Sequence, residues 1–156
     1  MIIDKWDSRI LDVIDAGIEF MLETDIILLT KSNSIDSYKD KLLDDLYIVF
    51  SNSTSDIIVS YTEDNILAGF AIVHKDTLFN MSPIGILNKF YIRKSYRGTD
   101  HGRKLTQMCV DWFDSNDVVD SFATSTAGIG EGKQFENLFK KYGFAVIGAC
   151  MRRTHV

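Results

Sequence analysis

The stretch Arg97-Gly98-Thr99-Asp100-His101-Gly102-Arg103-Lys104 is the part of this chain best equipped to do chemistry. It sets two glycines among basic residues just ahead of a regular apolar pattern. A glycine-bearing loop that opens into a helix offers main-chain N–H groups without carbonyl partners, at the positive end of the aligned peptide dipoles. Such a junction suits the binding of an anion, above all a phosphate or diphosphate. Gly98 and Gly102 let the backbone come close to a ligand, and Arg97, Arg103 and Lys104 add charged donors. Asp100 works against this. Its carboxylate either repels a diphosphate or caps the helix it precedes, occupying amides that the phosphate would otherwise use.

The helix itself is predicted from Leu105, Met108, Cys109, Trp112 and Phe113, which recur at i, i+3, i+4, i+7 and i+8, while Lys104, Gln107, Asp111 and Asp114 face water. Its N-terminus falls between Asp100 and Gly102. Upstream, alternation over 84–93 predicts a strand feeding the loop, with Ile86 and Phe90 on the more apolar face and Asn88 as that face's polar residue. Pro83 sits in the link before it, where its missing donor does no harm. Downstream, a strand is expected over 118–126 and a helix over 132–142, carrying Phe135, Leu138, Phe139 and Tyr142 on one face and ending at Gly143.

These residues resemble the GNAT superfamily of N-acyltransferases. In that family a loop of the form Arg/Gln-x-x-Gly-x-Gly/Ala precedes a long helix and cradles the pyrophosphate of acetyl-coenzyme A. Arg97, Asp100 and Gly102 occupy the three signature places, and Leu138-Phe139-Lys140-Lys141-Tyr142-Gly143-Phe144 is similar to the family's Phe-Tyr-x-x-Leu-Gly-Phe phrase. The short build and the tryptophan-bearing helix are similar to the GNAT proteins of tailed bacteriophages. The resemblance implies one GNAT-like acyltransferase domain over residues 1–156, of α/β (α+β) class. Its central sheet is mixed and mostly antiparallel, with about six strands, about four helices and a V-shaped splay between the fourth and fifth strands. It also implies acetyl-coenzyme A as cosubstrate, bound by backbone at Tyr91, Ile92 and Arg93 and by Arg97, Gly98, Thr99, Asp100, His101, Gly102, Arg103 and Lys104. Ser125, Thr126 and Phe139 then fall near the pantetheine arm.

The chemistry that the resemblance implies is direct attack of an amine on the thioester. It requires positioning, removal of a proton and protonation of the departing sulfur. Many relatives use a tyrosine as the acid, but its place holds Phe139, which has no proton to give; Tyr142 lies three residues on. Relatives often place a carboxylate on the strand before the loop, yet 84–92 holds no Asp or Glu. Asn88 can orient a water but takes no proton at neutral pH; His74 and Glu63 are more remote bases. The acceptor, a small-molecule or protein amine, is expected near 25–36 and the last strand, where Glu23, Asp25 and Asp36 suit a cationic amine. A GNAT-shaped protein that has lost turnover and serves as a binding or structural module, of phage type, is the competing expectation.

The remaining elements must hold this machinery in place. Asp7 or Ser8 can cap a helix with Ile10, Ile14, Ile18 and Leu22 on one face. A loop is expected over 31–36, then a helix over 36–47 ended by the Ser51-Asn52-Ser53-Thr54-Ser55 cluster. Strands are expected at 57–61 and 66–74, joined by a turn at Glu63-Asp64-Asn65, and a last strand over 144–153. Only 13 residues follow Gly143, which is short for a closing hairpin, so a homodimer through the C-terminal edge is expected.

Composition narrows the partners. The chain has 156 residues, 46% of them hydrophobic, with ten Phe, enough for one core. Its net charge of −5 argues against nucleic acid. Residues 89–104 carry six cations against Asp100, +5, leaving −10 for the rest, so a concentrated basic site sits on an acidic body. No apolar run suits a bilayer span, and the charged start lacks a secretory apolar region. Cys109 and Cys150 in apolar settings point to a reducing cytoplasm. No histidine and cysteine spacing suits a metal. Residues 128–133 are glycine-rich, but Ala127 and Gln134 break a phosphate-loop signature there.

Overall fold

The computed structural model describes residues 1–4, 7–23, 35–77, 82–123 and 133–147. Its elements in chain order are β1 (Ile2–Ile3), α1 (Ile10–Glu23), α2 (Ile35–Ser51), β2 (Ser55–Tyr61), β3 (Leu67–Thr77), β4 (Pro83–Ile92), a 3₁₀ turn (Lys94–Tyr96), α3 (Asp100–Ser115), β5 (Asp120–Ala123) and α4 (Lys133–Lys140). The five strands form one sheet in the order β1-β2-β3-β4-β5. All neighbours are antiparallel except β4 and β5, which run parallel through α3 as crossover.

Helices cover both faces. On one, Val13, Ile14 and Ile18 of α1 and Leu46 of α2 bury against Ile57, Val59, Phe70, Ile72 and Tyr91. On the other, Leu105, Cys109, Trp112 and Phe113 of α3 and Phe139 of α4 bury against Ile58, Ala71, Val73 and Leu87. Burying a side chain of this size stabilises by about 1.5–3 kcal/mol. The predicted α3 stripe is the one observed, with Lys104, Gln107, Asp111 and Asp114 exposed. Burial also pushes the free thiol of Cys109 up to about 12.

Several expectations are corrected. The sheet has five strands among the described residues, not about six: residues 144–147 carry no regular structure, and the remainder of the expected last strand lies outside the described residues. Leu22 is 52% exposed, unlike Ile14 and Ile18. At 3.6 residues per turn a strict i+4 series drifts about 40° per step, so Leu22 has wound off the core face. The second helix starts at Ile35 and runs four residues beyond Tyr47, to Ser51. The turn between β2 and β3 forms as expected, with Asn65 at φ 58° and Thr62 N–H donating to Ile66 C=O at 2.9 Å.

The largest departure lies in β4. Partners run Val73↔Leu87 and then Ile72↔Lys89, so Asn88 is an extra residue, a β-bulge. A bulge moves alternation by one, which breaks the period-2 reading of Ile86, Asn88 and Phe90. Leu87, Phe90 and Ile92 pack with the α3 side, whereas Tyr91 packs with the α1 side. Lys89, opposite Ile72, takes the same side as Tyr91.

Candidate active site

Pairing of β4 with β5 ends at Leu87↔Ala123. From Asn88 to Ile92, β4 pairs with β3 alone, so among the described residues one side of its backbone is unpaired. That is the place where a splay between the fourth and fifth strands is expected. Along it runs a cleft of about 830 Å³. Its floor is Leu87 to Ile92. One end is the loop from Tyr96 to Arg103, one wall is Gln134, Phe135, Asn137, Leu138 and Lys141, and Phe20 of α1 closes the other side.

The loop end is built as the sequence suggests, with differences in who bonds to whom. Gly98 has φ +77°, a left-handed conformation that glycine adopts at little cost. Thr99, not Asp100, is the N-cap of α3, and its Oγ1 accepts from His101 N–H at a long 3.4 Å. Asp100 is the first helical residue, and its exposed carboxylate pairs with Arg103 one turn on. That hydrogen bond holds the Asp100 carboxyl below the usual carboxylate range. The capping half of the expected alternative is corrected: Asp100 does not cap the helix, and its carboxylate instead pairs with Arg103, a residue expected to serve the phosphate. Gly102 lines the cleft, and a Cβ there would stand 3.6 Å from Leu138, an ordinary contact. Packing alone therefore does not demand glycine at this position.

Arg97 faces α1. It pairs with Glu23 through both guanidinium amino groups, at 2.7 Å for one of them. Its Nε donates to Ile92 C=O at 3.1 Å, and its guanidinium lies 5.6 Å from the Tyr91 ring centroid. Tyr91 OH donates to the same Glu23 carboxylate at 3.1 Å. The Arg97 hydrogen bond holds Glu23 below its ordinary range, and burial, followed by the Glu23 charge, raises Tyr91. An acidic residue at a helix C-terminus opposes the dipole; Arg97 offsets that charge and ties the end of α1 to the loop.

The other expected residues divide. Asn88, Tyr91, Ile92, Arg97, Gly98, Thr99, Asp100, Gly102 and Arg103 line the cleft; Arg93, His101, Lys104, Phe139, Tyr142 and His74 do not. Arg93 Nε is 3.3 Å from Glu19. His101 turns to β2, its Nδ1 3.0 Å from Ser60 Oγ, with its ring edge-on to Tyr96. Phe139 is 2% exposed, against Phe90, Phe135 and Phe144. Tyr142 OH donates to Arg103 C=O at 3.1 Å, on the backbone of α3. His74 pairs with Ile86, before the bulge. Ser125 and Thr126 lie outside the described residues, as do Asp25 and Cys150. Glu23, expected to attract a cationic amine, has its charge answered by Arg97. Asp36 sits in the first turn of α2.

Phe20, Tyr96 and the α4 wall line the cleft without having been expected there, and Lys89, expected only as one cation of the basic cluster, lies on its floor. A signal for the wall is present: Gln134, Asn137 and Lys141 recur at i, i+3 and i+7, a polar stripe beside the apolar one. Among the described residues no group of three His, Cys, Asp or Glu could hold a metal, and no helix is long and apolar enough to cross a membrane.

The sheet is covered on both faces, and its parallel β4–α3–β5 unit carries an amide-bearing loop between β4 and α3 at one end of the cleft. The sequence profile of the Acetyltransferase (GNAT) family matches residues 23–144, and the chain belongs to that family. No curated protein sequence matches significantly. Among solved structures it is similar to AAC(6')-Iy in complex with the bisubstrate analog CoA-S-monomethyl-acetylneamine, at 12% identity and TM-score 0.69, covering 100% of this chain and 96% of that one. The aminoglycoside 6'-N-acetyltransferase AAC(6')-Ih from Acinetobacter baumannii gives the same four values. Glucosamine-6-phosphate N-acetyltransferase from Arabidopsis thaliana is 17% identical at TM-score 0.60, covering 90% and 92%. At these identities the likeness is one of fold.

Proposed function

We propose that residues 1–156 form one N-acetyltransferase domain that moves an acetyl group from acetyl-coenzyme A to a primary amine. One observation carries this: the backbone edge of β4 left unpaired among the described residues runs from the Asn88 bulge directly into the loop ahead of α3, within a single cleft. An extended pantetheine arm can add to that edge as a strand would, while its diphosphate meets the first-turn amides at Asp100 and Gly102. The solved complex of a fold relative with a coenzyme A conjugate supports the same ligand class.

In the step itself the acceptor nitrogen forms a bond to the thioester carbonyl carbon, the carbon–sulfur bond breaks, and the thiolate leaves. The bulge takes the backbone of Asn88 out of the ladder, where its N–H can polarise the carbonyl. The Asn88 side chain, exposed at the same point, orients a water that carries the ammonium proton to solvent. Tyr142 is held on Arg103 and His74 lies off the cleft, so Asn88 is the expected catalytic residue with access. The site of action is the cytoplasm, that of the host for a phage-type protein. A homodimer through the C-terminal edge belongs to the same proposal and is checked by light scattering.

A second reading, a GNAT-shaped binding or structural module without turnover, is favoured by the engagement of Arg97 and Arg103 with Glu23 and Asp100. Calorimetry with acetyl-coenzyme A on the wild type and Asp100→Gly separates the two. Binding by both, with thiol release on adding an amine, supports the transferase. Binding by the glycine variant alone supports the module, and binding by neither rejects coenzyme A as ligand.

A further inference from the structure

We propose that Lys89 binds an anionic group of the acceptor, so that the acceptor is a small amine that also carries a carboxylate or a phosphate. The proposal deepens the transferase reading and rests on it. The bulge at Asn88 turns Lys89 to the α1 side of the sheet, beside Tyr91, where it lines the cleft next to the point at which the thioester would lie. Lys89 is exposed and makes no ion pair or hydrogen bond among the described residues. It stands three residues, roughly 10 Å along the strand, before Ile92, where β4 ends ahead of the loop. Lys89 and the phosphate-binding amides therefore serve opposite ends of the cleft.

The surrounding charges favour the same class of acceptor. The carboxylates that α1 brings to this side are answered from within the protein, Glu19 by Arg93 and Glu23 by Arg97. Arg103 is answered by Asp100. Among the described residues, the lining cations without an acidic partner are Lys89 on the floor and Lys141 on the facing wall. A polycationic acceptor would meet like charge at both, whereas a carboxylate or phosphate beside the amine gives Lys89 the partner it lacks. The amine is thereby aimed at the bulge while its anion is held two residues from Tyr91.

The test uses matched probes on the full chain: glucosamine 6-phosphate against glucosamine for phosphate, and β-alanine against 3-aminopropanol for carboxylate. Binding is read by calorimetry and turnover by thiol release, for the wild type, Lys89→Gln and Lys89→Glu. Circular dichroism verifies the folds, which an exposed position should leave intact. The expected result is a preference for the charged member of at least one pair by roughly tenfold or more, lost in the Gln variant and reversed in the Glu variant, with acetyl-coenzyme A affinity unchanged. Acetyl-coenzyme A binding without a charged-member preference, or with one that Lys89→Glu leaves in place, overturns the assignment and leaves the transferase standing. Charged-member binding abolished by Lys89→Glu, in a protein that binds no acetyl-coenzyme A, does the reverse.

Discussion

The two ends of the cleft are built on opposite plans. At the loop end every arginine is engaged: Arg97 with Glu23, Arg103 with Asp100, and what is offered to a ligand is backbone. At the bulge end the side chains are free, since Asn88 and Lys89 are exposed and neither has an acidic partner among the described residues. The difference teaches a division of labour. Binding of a diphosphate is assigned to geometry that tolerates sequence change, while discrimination among acceptors is assigned to side chains that a single substitution rewrites.

The strongest way to break that division is to obstruct the amides without touching the arginines. Gly102→Glu places a carboxylate over the first turn of α3, with room for its Cβ against Leu138. Calorimetry should show acetyl-coenzyme A affinity falling by about 100-fold, or about 2.7 kcal/mol, with the melting temperature nearly unchanged. An equal loss from Arg97→Ala would mean that side chains, not backbone, hold the diphosphate.

At the other end, Asn88→Asp supplies the base that β4 lacks. Turnover should rise by about tenfold at pH 8 in steady-state assays, whereas acetyl-coenzyme A affinity stays within about twofold. A fall in turnover would show that the amide, not proton transfer, is what position 88 contributes.

Arg97→Ala is expected to act on stability. The Arg97–Glu23 side chains are each 25% exposed, and the loss should be about 1 kcal/mol, a fall of roughly 2–4 °C in melting temperature. Glu23 is depressed by Arg97, so the pair's contribution is fully present above the carboxyl's unfolded value near 4.5 and is lost as pH falls through the folded value. Melting curves of wild type and variant should therefore separate at pH 7 and converge in acid. The smallest effect is expected from Asp100→Gly, which frees Arg103 for the ligand and should tighten acetyl-coenzyme A by roughly threefold at low salt.

Much of this was legible in the sequence, where local pattern decides structure. The α3 stripe, the loop ahead of it, the Gly143 stop at φ +85° and the Asn65 turn each depend on residues within one or two turns of each other. The bulge was not legible, because alternation through Ile86, Asn88 and Phe90 looks unbroken until β3 supplies the register. Nor was the engagement of Arg97, whose partner Glu23 is 74 residues away. The six cations between Lys89 and Lys104 read as one basic site, yet pairing across the fold removes Arg93, Arg97 and Arg103 from it and leaves Lys89 alone at the acceptor end.

A crystal structure of the wild-type chain soaked with acetyl-coenzyme A tests the central claim most directly. The account predicts the diphosphate on the N–H groups at the start of α3, the pantetheine arm along Asn88 to Ile92, and the Arg97–Glu23 pair intact. An empty cleft, or a diphosphate held by Arg97 released from Glu23, would contradict it.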